Sequence, residues 1–265
     1  MFKQQVYNFT VAIANQKGGA GKTTIAIHLA HTIALAKKRV LFVDGDPQGS
    51  ASVWASSRET VSPFPVIQMA RETLHRDLPE IAKDYHHCII DTPPRVSALA
   101  RSAILAADLS LIPVQPSSYD VWAAAETVAL IQEAQQFKPD IRAAFVIDRR
   151  VTGSAIGREI DAALADFPFP VLAASISQRV AFAESSAGQS VMEFAPSSSA
   201  SDEVRALSKA ILNLMGVKSW FNPPPQRQLP NLNHRVSHIP IGSASTLPPT
   251  STNDSNVLVL TADDR

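Results

Sequence analysis

Apolar and polar positions alternate along the chain in two different periods. Short apolar runs predict strands at 9–15, 40–44, 65–68, 88–91, 109–114, 143–148 and 171–174. Helical spacing, such as Ile25, Leu29 and Ile33 on one face, predicts helices at 22–37, 71–85, 97–107, 120–137, 154–166 and 200–214. Because the strands are almost continuously apolar, we predict an α/β fold in which helices cover both faces of a mostly parallel sheet.

Composition limits the class of protein but does not choose a function. The 265 residues are 45% hydrophobic, which is typical of a globular chain, and 18% charged, which is below the usual level of about 25%. Lys plus Arg and Asp plus Glu both number 24, so the formal net charge is zero. Binding to nucleic acid would therefore depend on a local patch of charge.

Cysteine and histidine usage argues against several kinds of site. Cys88 is the only cysteine, which excludes a disulfide framework or a multi-thiolate metal site within one chain. His28 and His31 lack a third ligand at suitable spacing, so we expect them to be partly exposed helix residues. We recognise no signal peptide or membrane-spanning run, and we expect a cytoplasmic protein.

Composition changes after Gly216. Residues 217–265 combine Pro223-Pro224-Pro225 and Pro248-Pro249 with Ser, Thr and Asn, and show no sustained period. We therefore predict a domain at 1–216 followed by a Pro/Ser/Asn-rich, flexible and disordered tail at 217–265. The few basic residues of the tail, Lys218, Arg227, Arg235 and Arg265, do not form the basic amphipathic helix that membrane attachment requires.

A glycine-rich loop joins the first predicted strand to the first helix. Residues 15–24 read NQKGGAGKTT, and this strand, loop and helix order is the context of a P-loop. Its backbone N–H groups would surround phosphates, with Lys22 reaching the β- and γ-phosphates and Thr23 binding Mg²⁺. The predicted nucleotide-binding residues of the loop are Lys17, Gly18, Gly19, Ala20, Gly21, Lys22, Thr23 and Thr24.

Two details distinguish this loop from the general P-loop pattern. Gln16 occupies the position of the first glycine, and an additional lysine, Lys17, precedes the glycine pair. The resulting KGGxGKT pattern resembles the deviant Walker A motif of the ParA/MinD family of P-loop ATPases, and its wording is similar to the ParA branch. The resemblance implies an ATP-dependent homodimer in which Lys17 touches the nucleotide of the partner subunit.

Acidic residues follow two later strands, as in that family. The segment at 44–48 reads DGDPQ and the segment at 88–94 reads CIIDTPP. Asp44 and Asp46 are separated by one residue at the strand end, and we do not expect them to be interchangeable. The resemblance assigns Asp46 to the attacking water, Asp44 to a supporting position near the magnesium, and Asp91 to Mg²⁺ itself. Lys17, Lys22 and Asp46 are thus the predicted catalytic residues.

The resemblance extends over about residues 9–216, but the chain departs from the family at the position expected to contact the adenine base. Family members often place Asn or Thr near the adenine, where this chain has Asp148. A carboxylate can accept a hydrogen bond from the adenine amine, so we keep Asp148 as a predicted cofactor-binding residue, with the base less certain than the phosphates.

The family resemblance implies a short ParA-type partition ATPase. Such proteins bind DNA nonspecifically as the ATP dimer, and a ParB-like or other small adaptor stimulates their slow hydrolysis. By position, Arg179, Arg205 and Lys209 are candidates for DNA contact, although ordinary solvated helix charge explains them equally well. The alternatives are the same switch acting on a protein cargo, of the carboxysome or chemoreceptor type, and a small-molecule enzyme resembling dethiobiotin synthetase.

Overall fold

The computed structural model describes residues 9–95, 97–151 and 156–217, with side chains after the second gap described from Glu159. Its sheet has the order β3-β2-β4-β1-β5-β6, and every pair of neighbouring strands is parallel. The strands are β1 Phe9–Ile13, β2 Val40–Asp44, β3 Val66–Gln68, β4 His87–Asp91, β5 Leu109–Val114 and β6 Arg142–Ile147. The predicted parallel α/β fold is confirmed.

Helices cover both faces of this sheet. They are α1 Lys22–Leu35, α2 Ser50–Ser56, α3 Leu74–Ile81, α4 Ala98–Ala106, α5 Ser118–Phe137, α6 Ile156–Leu164, α7 Val180–Glu184, α8 Val191–Phe194 and α9 Ser199–Met215. Val11 and Ile13 of β1 pack in one apolar cluster with α1 and α9, whereas Ala12 packs in another with α3. Alternate residues of one strand thus enter separate cores, which explains why the strand has no polar positions.

The central position of α1 corrects the expectation for its two histidines. His28 and His31 are buried, because α8 and α9 cover the side of α1 that faces away from the sheet. His31 Nδ1 lies 2.7 Å from Ser190 Oγ, and the His28 ring lies 5.3 Å from that of Phe182. Burial lowers the pKa of His28 to about 3, so this imidazole is neutral.

The predicted strand at 171–174 is not a strand in the structure. Val171 forms one isolated parallel bridge to Phe145 at the edge of the sheet. Phe145 donates to the Pro170 carbonyl and Leu172 donates to the Phe145 carbonyl, both at 2.9 Å. Pro168 and Pro170 have no N–H group, so the preceding segment cannot extend a ladder.

The last helix ends at the predicted domain boundary. Gly216 has φ +70°, and Val217 donates to the Leu212 carbonyl at 2.9 Å, which is the hydrogen bond of a Schellman cap. Val217, the first residue of the predicted tail, is buried in the same cluster as Leu212. Residues 218–265 lie outside the described residues, so the disorder predicted for the tail stays a prediction.

Candidate nucleotide-binding site

The P-loop lies between the end of β1 and the start of α1. Gly21 caps the helix in the left-handed conformation with φ +86°, which favours glycine. A Cβ atom at Gly21 would collide with the carboxylate of Asp148, which follows β6. The loop is therefore held closely against the end of a strand two positions away in the sheet.

Lys22 lies inside this loop. Its side chain is buried, and Nζ donates a hydrogen bond of 3.1 Å to the carbonyl of Lys17. Burial lowers the pKa of Lys22, while the nearby carboxylates of Asp91 and Asp46 act in the opposite direction. An ammonium group that the loop backbone holds in place is suited to bind phosphate oxygens as a point charge.

Thr23 and Asp91 form the part of the site suited to a divalent cation. Thr23 Oγ1 donates to Asp91 Oδ2 at 2.6 Å, and Asp91 Oδ1 is buried without a hydrogen-bond partner among the described residues. Mainly because of burial, the pKa of Asp91 is raised to about 7; the Thr23 hydrogen bond opposes this shift and the nearby Asp44 adds to it. A buried oxygen without a partner, beside a hydroxyl, fits Mg²⁺.

The small number of protein ligands agrees with that cation. Within the described ranges no group of three or more His, Cys, Asp or Glu side chains is arranged to hold a metal ion. Mg²⁺ is usually held by one or two protein groups together with waters and phosphate oxygens, so Thr23 and Asp91 are a sufficient set.

Asp44 and Asp46 have different surroundings. Asp44 is buried, pairs in register with Asp91 on β4, and accepts hydrogen bonds of 2.8 Å from both N and Oγ of Ser52. It therefore anchors the start of α2, and its predicted metal role stays a prediction. Asp46 is half-buried, and its Oδ1 accepts from the Gln48 N–H at 3.0 Å.

Lys17 has a position quite unlike that of Lys22. Its Nζ lies 2.6 Å from Oδ2 of Asp120, in the first turn of α5, and its side chain is 39% exposed. Asp120 is buried, accepts from the Ser117 hydroxyl as well, and has one oxygen without a partner among the described residues. The two lysines of the loop thus occupy separate places, one inside it and one at its outer edge.

A cleft of about 800 Å³ opens beside the loop. Gly21, Thr24 and Asp148 line one end, and Arg179 and Phe182 line another part. This volume falls within the range of ligand pockets. Burial raises the pKa of Asp148 to about 6, and the adjacent Arg149 opposes this shift. Asp148 thus lines the cleft beside the loop, and its contact with the base stays a prediction.

The candidates for DNA contact lie on or beside α9 but differ in their partners. Arg179 Nη2 lies 2.6 Å from Glu203 Oε1, and Arg205 Nη1 lies 2.9 Å from Asp202 Oδ1. Lys209 is exposed and forms no ion pair with any residue that the structure describes. Their role in DNA binding stays a prediction.

Sequence reasoning missed Asp120 and Asn15. Asn15 accepts from the Lys17 N–H at 2.8 Å and donates to the Pro113 carbonyl at 2.6 Å, which fixes the start of the loop. Asp120 follows the helix-capping residue Ser117 by three positions, and a Ser-x-x-Asp pattern at a helix start marks an acid in the first turn. That signal identifies Asp120 as a first-turn acid but not its lysine partner.

Comparison with known proteins agrees with this geometry. The family described as CobQ/CobB/MinD/ParA nucleotide binding domain matches residues 11–191. Maintenance of carboxysome distribution protein A of Halothiobacillus neapolitanus is 31% identical over 209 residues, covering 77% of this chain and 96% of that protein. The chromosome-partitioning ATPase Soj of Thermus thermophilus is 29% identical over 235 residues, covering 76% and 94% of the two chains.

A solved structure shows the same fold. The septum site-determining protein MinD of Pyrococcus horikoshii, complexed with Mg-ADP, has a TM-score of 0.67 at 18% identity, over 80% of this chain and 99% of that one. The family match covers the P-loop, both acidic segments and the sheet between them. The chain therefore belongs to the CobQ/CobB/MinD/ParA family of nucleotide-binding P-loop proteins.

Proposed function

We propose that this protein is an ATP-dependent dimerisation switch that requires Mg²⁺. It binds ATP, forms a homodimer, binds DNA nonspecifically in that state, and hydrolyses ATP slowly until an adaptor protein stimulates it. The observation that carries this proposal is the separation of the two loop lysines. Lys22 occupies the interior of the loop, whereas Lys17 lies at its outer edge, where it can exchange its contact with Asp120 for one in another subunit.

Each step has a residue suited to it. Lys22 binds the phosphates within the subunit, and Thr23 with Asp91 would hold Mg²⁺, which neutralises charge on the phosphates when bound. Asp46 is half-buried near Lys22, where a carboxylate can orient an attacking water. A cation supplied by a second subunit can accelerate phosphoryl transfer by about 10³ to 10⁵, which is the role proposed for Lys17.

DNA is the first candidate for the surface to which the ATP-bound dimer attaches. Similarity to a chromosome-partitioning ATPase supports plasmid or chromosome partition, with a ParB-like adaptor and a location on the nucleoid. Dimerisation doubles any basic patch and with it the number of counterions released, so a neutral monomer can still bind DNA.

Positioning of a protein cargo is the second candidate. The similarity to a carboxysome distribution protein extends over 96% of that relative, which supports the same switch with a protein assembly as its cargo. Binding assays with purified adaptor candidates encoded near the gene would separate the two, since only the identity of the adaptor and cargo differs.

Two substitutions test the switch against an ordinary small-molecule enzyme. We expect Lys17→Ala to bind ATP but not dimerise, and Asp46→Ala to dimerise with ATP and remain dimeric because the water is no longer oriented. Light scattering and binding to DNA of random sequence, each with ATP and with ADP, are the measurements. A wild-type protein that stays monomeric in both nucleotides, or that binds DNA equally with ADP, contradicts the switch and favours an enzyme resembling dethiobiotin synthetase.

A further inference from the structure

Trp122 stands exposed near the start of α5, on the side of the helix that faces away from the P-loop. The residue is 66% exposed. Asp120 contacts Lys17 and Thr127 accepts from the Gln16 N–H, so these two residues mark the side of α5 that faces the loop. They lie about 160° and 140° from Trp122 around a helix of 3.6 residues per turn. Trp122 therefore belongs to a surface that is separate from the nucleotide site.

A second aromatic residue contacts Trp122 on this surface. Tyr119 is 74% exposed, and its ring centroid lies 5.4 Å from that of Trp122 at an interplanar angle of 82°. This edge-to-face contact holds the indole ring at the surface. Exposed Trp and Tyr that are held in place are typical of surfaces that bind another protein.

A cavity of about 210 Å³ lies beside Trp122, between α5 and α6. Val121 and Trp122 line it from α5, and Glu159 and Ile160 line it from α6. Ile160 is buried and Glu159 is exposed, so the cavity has an apolar floor and an acidic rim. This arrangement accepts one long side chain that is apolar along its stem and positively charged at its end.

The charges around the cavity are negative. Glu126 is exposed one turn after Trp122 on the same side of α5, and Glu159 is exposed on α6. Neither acid forms an ion pair with a residue that the structure describes. Two such acids beside an exposed indole ring attract cations and repel phosphate groups, so this surface does not suit nucleic acid.

We propose that Tyr119, Trp122, Glu126, Glu159 and the cavity between α5 and α6 bind a basic segment of a partner protein through an arginine side chain. The aliphatic stem of the arginine enters the cavity, while its guanidinium group stacks on the indole ring and pairs with a glutamate. Arginine suits the surface better than lysine, because a planar guanidinium can stack and donate to a carboxylate at once. The inference goes beyond the proposed function, since no P-loop residue lines the cavity.

Peptide binding to the full-length protein without nucleotide tests this proposal. The probe is a fluorescein-labelled hexa-arginine peptide, and a hexa-citrulline peptide is its uncharged counterpart. We expect the arginine peptide to bind in a fluorescence anisotropy titration and the citrulline peptide not to bind. Trp122→Ala and Glu159→Gln should each weaken binding at least about fivefold, because each removes one contact to the guanidinium group.

Two matched substitutions are the controls. Phe137 is 75% exposed at the other end of α5, and Glu72 is an exposed acid just before α3 without an ion pair among the described residues. We expect Phe137→Ala and Glu72→Gln to bind the arginine peptide like the wild type. All four substituted side chains are exposed, so every variant should keep the circular dichroism spectrum of the wild type.

The indole N–H signals in an NMR spectrum locate the bound peptide. The signal of Trp122, assigned from its loss in Trp122→Ala, should shift when the arginine peptide is added. The signal of Trp54 should not shift, because Trp54 is buried and donates to the Gln189 carbonyl at 3.0 Å.

Several results would overturn the inference. Equal weakening by Glu159→Gln and Glu72→Gln would show an attraction of overall charge, and equal binding of the citrulline peptide would show that no cation is required. An unshifted Trp122 signal would place the peptide elsewhere. A wild-type protein that self-associates without nucleotide and becomes monomeric in Trp122→Ala would show that a second copy covers this surface.

Discussion

The ammonium group of Lys17 lies 2.6 Å from the carboxylate of Asp120, on the helix that borders the P-loop. This contact holds the additional lysine of the loop within its own subunit. In the proposed dimer, a contact of Lys17 with the partner's nucleotide would replace the contact with Asp120, so this ion pair would compete with dimerisation. A half-exposed lysine on a buried acid is suited to such an exchange, because the ammonium can leave without unfolding its surroundings.

Asp120→Asn should therefore favour the dimer. The amide keeps the shape of the side chain and its contact with Ser117 but removes the charge that retains Lys17. We expect the dimer dissociation constant with ATP to fall about three- to tenfold, in keeping with the modest free energy of partly exposed ion pairs. Light scattering checks this, and the double variant with Lys17→Ala should show no gain. Weaker dimerisation of Asp120→Asn would mean that Asp120 itself contacts the partner.

We expect Asp91→Asn to raise the stability of the nucleotide-free protein at high pH. The same substitution should abolish Mg²⁺-dependent nucleotide binding. The folded-state pKa of Asp91 is about 7, above the ordinary value of 3.8, so the folded state retains a proton that the unfolded state has lost between these values. Stability contributed by that proton is lost as pH rises toward 7. Removing the charge should raise the free energy of unfolding by about 1 to 4 kcal/mol at pH 8.

The comparison across pH is the control for that prediction. At pH 5 the Asp91 carboxyl is already protonated in the folded protein, so the gain from Asp91→Asn should be much smaller there. Denaturant unfolding at the two pH values, without Mg²⁺, measures the difference. An equal effect at both values would show that ionisation of Asp91 is not what limits stability.

Gly21→Ala tests the close contact between the P-loop and β6. Its φ of +86° disfavours any side chain, and the added Cβ meets the Asp148 carboxylate. We expect a loss of stability of about 2 kcal/mol or more and loss of nucleotide binding. Gly216→Ala is the control, since Gly216 has φ +70° but open space around it, so only the conformational cost of about 1 kcal/mol should appear. Calorimetry with and without nucleotide distinguishes them.

The sequence predicts the strands and the loop of the candidate nucleotide site more completely than it predicts the elements at the edges of the fold. β1, the P-loop and the acids after β2 and β4 are recognisable because strand, loop and charged residue follow one another directly in the chain. α2 was missed, because Ser50–Ser56 is short and Asp44 stabilises its start through Ser52, a contact that spacing does not reveal. The predicted strand at 171–174 was wrong, because proline limits the ladder to a single bridge.

Contacts between distant segments account for the other differences. Nothing near Lys17 in the sequence indicates Asp120, which is more than a hundred residues later and is brought close only by the neighbouring positions of β1 and β5. The burial of His28 and His31 likewise depends on α8 and α9, which close over α1 from the end of the domain. The spacing of apolar residues in a helix predicts the face that packs on the sheet. It does not predict that helices later in the chain will bury the opposite face.

Truncation of the tail tests the domain boundary. A chain that ends at Val217 keeps the Schellman cap and the buried valine, so it should fold, bind nucleotide and unfold within a few degrees of the full-length protein. A chain that ends at Met215 loses both, and we expect it to be less stable by about 1 to 2 kcal/mol. Thermal unfolding of the three chains is the measurement. Marked instability of the chain ending at Val217 would show that the tail packs on the domain.

Substitution of the basic residues on and beside α9 tests which of them contact DNA. Arg179 is paired with Glu203 and Arg205 with Asp202, so their charges are partly compensated within the protein, whereas Lys209 is exposed without an ion pair among the described residues. We therefore expect Lys209→Ala to weaken DNA binding by the ATP dimer most, then Arg205→Ala, then Arg179→Ala.

Each phosphate contact that is lost should reduce the salt slope of the binding constant by about 0.9 for each copy involved. Fluorescence anisotropy with random-sequence DNA over a range of salt concentrations measures both quantities. Arg76→Ala is the control, because Arg76 is exposed on α3 without an ion pair among the described residues, and α3 packs in a different apolar cluster from α9. If Arg76→Ala weakens binding as much as Lys209→Ala, the effect is one of overall charge and α9 is not the DNA-binding surface.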